Sequence, residues 1–211
     1  MKPIFISLSV VMAIFIFSIV SFSQDISLKR RSALELEIGF WGGAKASNTI
    51  TTKGIQSEAK TNGFIGNILY AYWIQEQLSI TLSAGFLAGE VSSTVSITAV
   101  SQHSSVIIPV LLGVNYYFLN PTQEDAVRPF ISAAIGPYIG SETSNTILSQ
   151  NTHSETAFGG RLGAGIDFLL SNHIKLGVNV RYNLMSDFST PVGARNNYNG
   201  IDASIGIGYI F

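Results

Sequence analysis

Serine, histidine and a carboxylate together can carry out acyl transfer, and this chain brings those residue types close together in two places. His103-Ser104-Ser105 is one cluster and His153-Ser154-Glu155 the other. A Ser hydroxyl attacks only where an imidazole takes its proton and an acid holds the imidazole in place. Ser is so frequent around both clusters that a chance neighbour is expected, so neither specifies a hydrolase. Metal chemistry fares no better. His103, His153 and His173 fall in three separate connections, and no carboxylate-rich calcium pattern occurs. The absence of cysteine removes thiolate ligands, a thiol nucleophile and any disulfide framework. The glycines are scattered and form no phosphate-cradling loop ahead of a helix. The sequence therefore predicts no catalytic residue, no cofactor and no metal.

A second set of charged residues is more regular: Glu35, Glu37, Arg128, Arg161, Asp167, Lys175, Arg181 and Asp202. Each lies within, or at the start of, a segment in which apolar residues recur at every second position, the period of a strand. Leu34, Leu36, Ile38 and Phe40 alternate with Glu35, Glu37, Gly39 and Trp41 over Ala33–Gly42. The same alternation recurs over Phe64–Ile74, Leu78–Ala88, Ile108–Phe118, Pro129–Ile139, Phe158–Leu170, Ile174–Leu184 and Ile201–Phe211. The eight segments are each close to the roughly 9–11 residues that a tilted strand needs to cross a bilayer. In lipid only helices and closed barrels satisfy their backbones. No helical period is present here, so the expectation is an all-β, eight-stranded, antiparallel up-and-down transmembrane β-barrel.

The connections alternate in length as such a barrel requires. Residues 44–62, 90–105, 141–156 and 186–199 read as long polar loops, rich in Ser, Thr and Asn. Residues 75–77 and 171–173 read as tight turns, and 120–127 as intermediate. Short turns on the periplasmic side and long loops outside are the usual arrangement. Ahead of the barrel, Lys2 precedes an apolar run from Ile4 to Phe22, and Ser21-Phe22-Ser23 sets small residues at the −3 and −1 positions. This predicts a signal peptide over 1–23, cleaved after Ser23, with the barrel domain over 24–211. An uncleaved membrane anchor is the alternative. No cysteine stands at the cleavage point to make a lipoprotein. Net charge is −1, which gives no electrostatic reason to expect nucleic acid as a partner.

All eight charges fall on the polar parity of their segments and none on the apolar one. A charge facing lipid costs about 2–4 kcal/mol at the bilayer midplane for Arg or Lys. The apolar face is therefore assigned to lipid and the charged face to the lumen. Eight strands enclose only enough space for side chains, and buried charges are tolerated when paired. An ion-pair network is predicted across the lumen. Asp167 should lie beside Lys175 across a tight turn, and Arg161 near Arg181, with Glu37 or Asp202 between the two arginines. A structural plug is the primary expectation, and a narrow path for ions or small solutes is the alternative. Aromatic residues gather near strand ends: Phe40, Trp41, Tyr72, Trp73, Tyr116, Tyr117, Phe118, Tyr209 and Phe211. This is the pattern of an interfacial girdle, although Trp41, Trp73 and Tyr117 have inward parity and suit lumen packing.

The final strand carries Ile205, Ile207, Tyr209 and a terminal Phe211 at alternate positions. This resembles the C-terminal signal by which outer-membrane barrels are recognised by the barrel assembly machinery. The stretches IPVLLGVNYYF (Ile108–Phe118), RPFISAAIGPYIG (Arg128–Gly140) and FGGRLGAGIDF (Phe158–Phe168) resemble the outer membrane protein β-barrel domain family, of the small OmpA/OmpX-like kind. The resemblance covers Ala33 to Phe211. It implies a bacterial outer-membrane location, lipid as surroundings, and a scaffold whose loops are the variable working surface, open to an extracellular partner. The family's lipid-trimming hydrolases carry His and Ser two apart on one strand face, which adjacent His153 and Ser154 do not match. No peptidoglycan-binding segment follows the last strand, so an anchoring role is not implied. The structural rival is a soluble lipocalin-like barrel, which would turn its apolar face inward to a ligand and its charges outward.

Overall fold

The computed structural model describes residues 27–43, 62–88, 92–96, 99–118, 126–146, 149–193 and 195–211. The expected signal peptide and most of the first long loop lie outside the described residues. Nine strands follow one another: β1 (Ser32–Gly43), β2 (Asn62–Gln75), β3 (Leu78–Ala88), β4 (Ser92–Ser96), β5 (Ala99–Tyr117), β6 (Val127–Thr146), β7 (Ser149–Leu169), β8 (Ile174–Met185) and β9 (Gly200–Ile210). Eight of them close a ring. Each of these pairs antiparallel with its neighbour in the order β3-β2-β1-β9-β8-β7-β6-β5, and β5 returns to β3. Closure removes sheet edges, which lipid could not satisfy. β4 stands outside the ring and, among the described residues, pairs only with the start of β5.

The alternation read from the sequence is the alternation of the wall. Along β9 burial switches strictly at every residue, with Ile201, Ile205, Ile207 and Tyr209 outward and Asp202, Ser204 and Gly206 inward. Outward side chains such as Ile38, Ile135 and Phe158 are two-thirds exposed. Apolar residues outside and charges inside are the reverse of a lipocalin-like barrel. Of the aromatic set, Trp41, Trp73 and Tyr117 are fully buried inside, while Phe40, Tyr72, Tyr116, Phe118, Tyr209 and Phe211 face outward. Eight strands bend sharply, and glycine permits it. A Cβ at Gly39 would strike the Ala203 carbonyl oxygen of the next strand, and one at Gly136 would strike that of Val110.

Two connections differ from the sequence expectation. Residues 90–105 and 141–156 read as loops, but strand pairing runs on through much of both. β4 pairs with β5 from Ser92↔His103 to Ser96↔Ala99. β6 and β7 stay paired out to Thr146↔Ser149. The reason is compositional. These stretches are rich in Ser, Thr and Asn, so period-2 hydrophobicity, the signal for a strand, is missing from them. The hydrogen-bond ladder does not need that signal.

Candidate functional site: the filled lumen

The strands project three layers into the lumen. At the short-turn end lies an apolar layer of Leu28, Trp73, Tyr117, Phe130, Leu169 and Ile210, with Ala33 and Ala71. Tyr117 packs its ring 5.1 Å from Phe130 and 6.1 Å from Trp73. Leu28 precedes β1 and reaches this layer because its segment folds back under the wall. The Leu28 and Lys29 amides and the Ser27 hydroxyl all donate to the Glu76 carboxylate in the β2–β3 turn. Arg30 holds a left-handed φ of 64° so that the chain can turn from there into β1. Burial pushes the Glu76 carboxyl up, but the Ser27 hydroxyl, the two amides and the nearby Arg128 outweigh it and hold it below its ordinary value.

The middle layer is polar. Lys175 Nζ sits 2.6 Å from Glu35 Oε2 and 2.9 Å from Asp167 Oδ2, and the Tyr117 hydroxyl donates to the same Asp167 oxygen at 3.0 Å. One level away, Arg181 reaches Glu37 Oε2 at 2.8 Å, Asp202 Oδ1 at 2.9 Å and Ser204 Oγ at 2.8 Å. Asn67 and Asn179 donate to Glu37, and Asn183 to Asp202. Arg161 donates to Asn183 Oδ1 at 2.9 Å and lies 3.9 Å from Asp202 Oδ2, which sets Asp202 between the two arginines. Seven of the eight charged residues singled out in the sequence meet here. The eighth, Arg128, is also buried but sits towards the short-turn mouth, 3.6 Å from Glu76. The asparagines share the charged parity of their segments, but parity does not choose their partners, and Glu76 in its turn carries no signal.

The third layer closes the long-loop end. Trp41, Ile65, Leu87, Ile107, Leu111, Tyr138 and Met185 come from the strands, and Phe188, Val192 and Tyr198 from the β8–β9 connection, which folds inward. The Tyr198 hydroxyl donates to the Val192 carbonyl at 2.8 Å, and burial pushes its phenol up. Arg195 lies 5.4 Å from the centre of the Trp41 ring and 5.8 Å from that of Tyr198, within cation–π range. Gly193 (φ 59°) makes the turn, and its amide donates to Glu142. Between the layers remain cavities of about 10 and 30 Å³, room for one or two waters.

The acyl-transfer candidate at His153 is not assembled. His153 Nε2 lies 3.0 Å from Glu155 Oε1 on an exposed part of β7, whereas Ser154 projects from the other face and bonds Ser141 Oγ. His173 stacks on Tyr209 at the opposite end. The His103 side chain lies outside the described residues. Among the described residues no group of three or more His, Asp or Glu could hold a metal ion.

Apolar belt outward, charges inward and a closed ring are what a barrel in lipid requires. Residues 30–211 match the outer membrane protein beta-barrel domain. The chain belongs to that family. It is an outer-membrane protein, and its belt lies in membrane lipid. No curated protein sequence matches it. Among solved structures, it resembles Ail, the attachment invasion locus protein of Yersinia pestis, at 13% identity over 87% of this chain and 99% of that one (TM-score 0.53). It also resembles the Neisserial surface protein A at 14% identity over 87% and 98% (TM-score 0.51), and OprG of Pseudomonas aeruginosa at 13% over 89% and 98% (TM-score 0.51). At these identities the likeness is one of fold.

Proposed function

We propose that this outer-membrane barrel is a non-conducting scaffold that presents a surface outside the cell. The observation that carries this reading is the lumen. An ion-pair layer lies between two apolar layers, and the space left over holds only a water or two. An ion would have to displace Lys175 or Arg181 from buried carboxylates to pass. Beyond the rim, β5, β6 and β7 continue as a polar sheet. Among the described residues no strand other than β6 pairs with β7 before Gly159. The backbone groups of β7 over residues 149–157 that point away from β6 therefore lie along a free edge among the described residues, which suits contact with an extended partner segment. The periplasmic delivery that such a barrel needs is assigned to residues 1–23 as a cleaved signal peptide. Docking on the barrel assembly machinery is assigned to the outward row of Ile205, Ile207, Tyr209 and Phe211.

The test is single-channel recording of the purified protein in planar bilayers. A silent wild type, with steps appearing when Arg181 is changed to Ala, supports the plug. Steps in the wild type that shift when Arg161 or Arg181 is neutralised would replace it with the narrow-channel reading.

A further inference from the structure

Among the described residues the outer part of β7 has a partner on one side only. β6 and β7 pair without a register shift from Val127↔Phe168 out to Thr146↔Ser149, whereas β8 joins β7 only from Gly159 on. Phe158 shows which way the open side faces. Its amide donates to Ser186 Oγ and its carbonyl accepts from the Ser186 amide, so its backbone groups point away from β6. In an unbroken antiparallel ladder this direction alternates at every residue. Gln150, Thr152, Ser154 and Thr156 therefore turn their amides and carbonyls to the free edge.

Native sheets guard such an edge with Lys, Pro or a bulge, because an open edge templates another strand. Residues 149–157 contain no Lys, Arg or Pro, and the ladder with β6 has no bulge there. β4, the outer strand on the far side of this sheet, is only five residues long and is a poorer template.

We propose that two copies of this barrel join β7 to β7, edge to edge and antiparallel, about a two-fold axis at His153, and so link two facing membranes. This rests on the reading of β7 as a free edge for an extended segment, and it names that segment as the same strand of a second copy. A two-fold axis at His153 uses the whole edge. Gln150 meets Thr156 of the other copy and Thr152 meets Ser154, each pair exchanging both of its bonds. His153 then lies opposite His153 of the other copy in a non-hydrogen-bonded position, where Cα atoms are about 4.5 Å apart. Its Nε2 is already 3.0 Å from Glu155 Oε1 on the same face. Two imidazoles and two carboxylates gather there, donors matched to acceptors. Moving the axis to Glu155 would set carboxylate against carboxylate and drive the tip of each β7 into Ser186 of the other copy. The pairing is isologous and closes as a dimer. Each β7 runs from the long-loop tip down into its own barrel wall, so an antiparallel partner descends into a membrane on the opposite side.

The chain has no cysteine, so one introduced thiol reads the contact. His153→Cys should form disulfide-linked dimers under mild oxidation, because the pair falls within the roughly 4.4–6.8 Å that a disulfide spans. Asp187→Cys, in the exposed β8–β9 connection, should stay monomeric. Ser154→Pro removes an amide that points to the free edge and spares the ladder with β6. Added to His153→Cys it should abolish the dimer, and alone it should abolish the clustering that wild-type protein causes between phospholipid vesicles, followed by light scattering. Gel mobility of unboiled samples confirms that each variant folds. A monomeric His153→Cys, vesicles that stay dispersed, or dimers that survive Ser154→Pro overturn the proposal. Hydrogen exchange on dilute monomer in detergent separates this failure from that of the free edge itself. Fast exchange at Gln150, Thr152, Ser154 and Thr156 with no dimer sinks the second copy alone. Slow exchange there means that the edge is already covered, and the free-edge reading and the pairing fall together.

Discussion

Replacing Arg181 by Met tests whether the polar layer holds the barrel together. The side chain is 5% exposed and donates to Glu37, Asp202 and Ser204. Methionine has comparable reach and no charge, so the change removes the interaction with little change in packing. Removing one partner of a buried ion pair costs about 3–5 kcal/mol, because the other charge is left uncompensated. Here two carboxylates lose their cation, but neither loses every donor. Glu37 keeps Asn67 and Asn179, and Asp202 keeps Asn183 with Arg161 at 3.9 Å. The expected loss therefore sits near the lower end, about 3 kcal/mol. Adding Glu37→Gln to the variant removes one of the stranded charges and should recover part of that loss, a coupling that contacting residues show and distant ones do not. The assay is urea titration of the barrel folded in lipid vesicles, read by the mobility of unboiled samples. A loss below about 1 kcal/mol, the range of exposed pairs, would refute the view that Arg181 is sealed from water, and so would a double variant no more stable than the single one.

Three further outcomes follow from the same geometry. Ile38→Lys places a charge on an outward position that is 67% exposed, halfway along β1; it should cost about 2–4 kcal/mol in vesicle-folded protein and far less if that face does not meet lipid. Gly177→Ala puts a methyl 2.6 Å from Glu35 Oε1 and should lower stability by about 1–3 kcal/mol through overpacking; an unchanged urea midpoint would show that Glu35 is free to move. Glu76 has its folded-state pKa lowered, so its contribution is present above the unfolded value of about 4.3 and lost as pH falls through the folded value. The stability difference between wild type and Glu76→Gln should therefore shrink on acidification below about pH 4.3, and a difference that grows there would reverse the sign.

Much of the wall was legible because lipid outside and charge inside force a period of two. Leu34 against Glu35 and Val180 against Arg181 already state which way each strand faces. What the sequence left unread lies where that contrast fades. β4 and the outer parts of β5, β6 and β7 are rich in Ser and Thr and carry no apolar alternation, so in sequence they look like loop. Leu28, Phe188, Val192 and Tyr198 are apolar residues in polar connections, too isolated to form a period, and they become buried only because the chain folds back into a mouth. Within the network, parity placed Asn67, Asn179 and Asn183 inward, but the choice of Glu37 or Asp202 as partner depends on stagger between strands. Arg128 and Glu76 are 52 positions apart and are joined across a barrel end.

The polar layer also bears on why these strands pair in one register. A slip of one residue turns every side chain of a strand to the other face. In a barrel with lipid outside and an apolar lumen such a slip would change little, since both faces would be acceptable to their surroundings. Here a one-residue slip of β8 would send Lys175 and Arg181 into lipid and draw Ile174, Val180 and Tyr182 inward. The same slip would strip Glu35 and Asp167 of Lys175 and Glu37 and Asp202 of Arg181. A two-residue slip preserves the faces but moves Arg181 away from Asp202, which lies directly opposite it on β9. Paired charges that contribute modestly to net stability can thus still discriminate strongly among pairings, because every wrong pairing leaves a buried charge alone. The apolar layers at both ends set the fold's tightness, and the ion pairs between them set which strand position faces which.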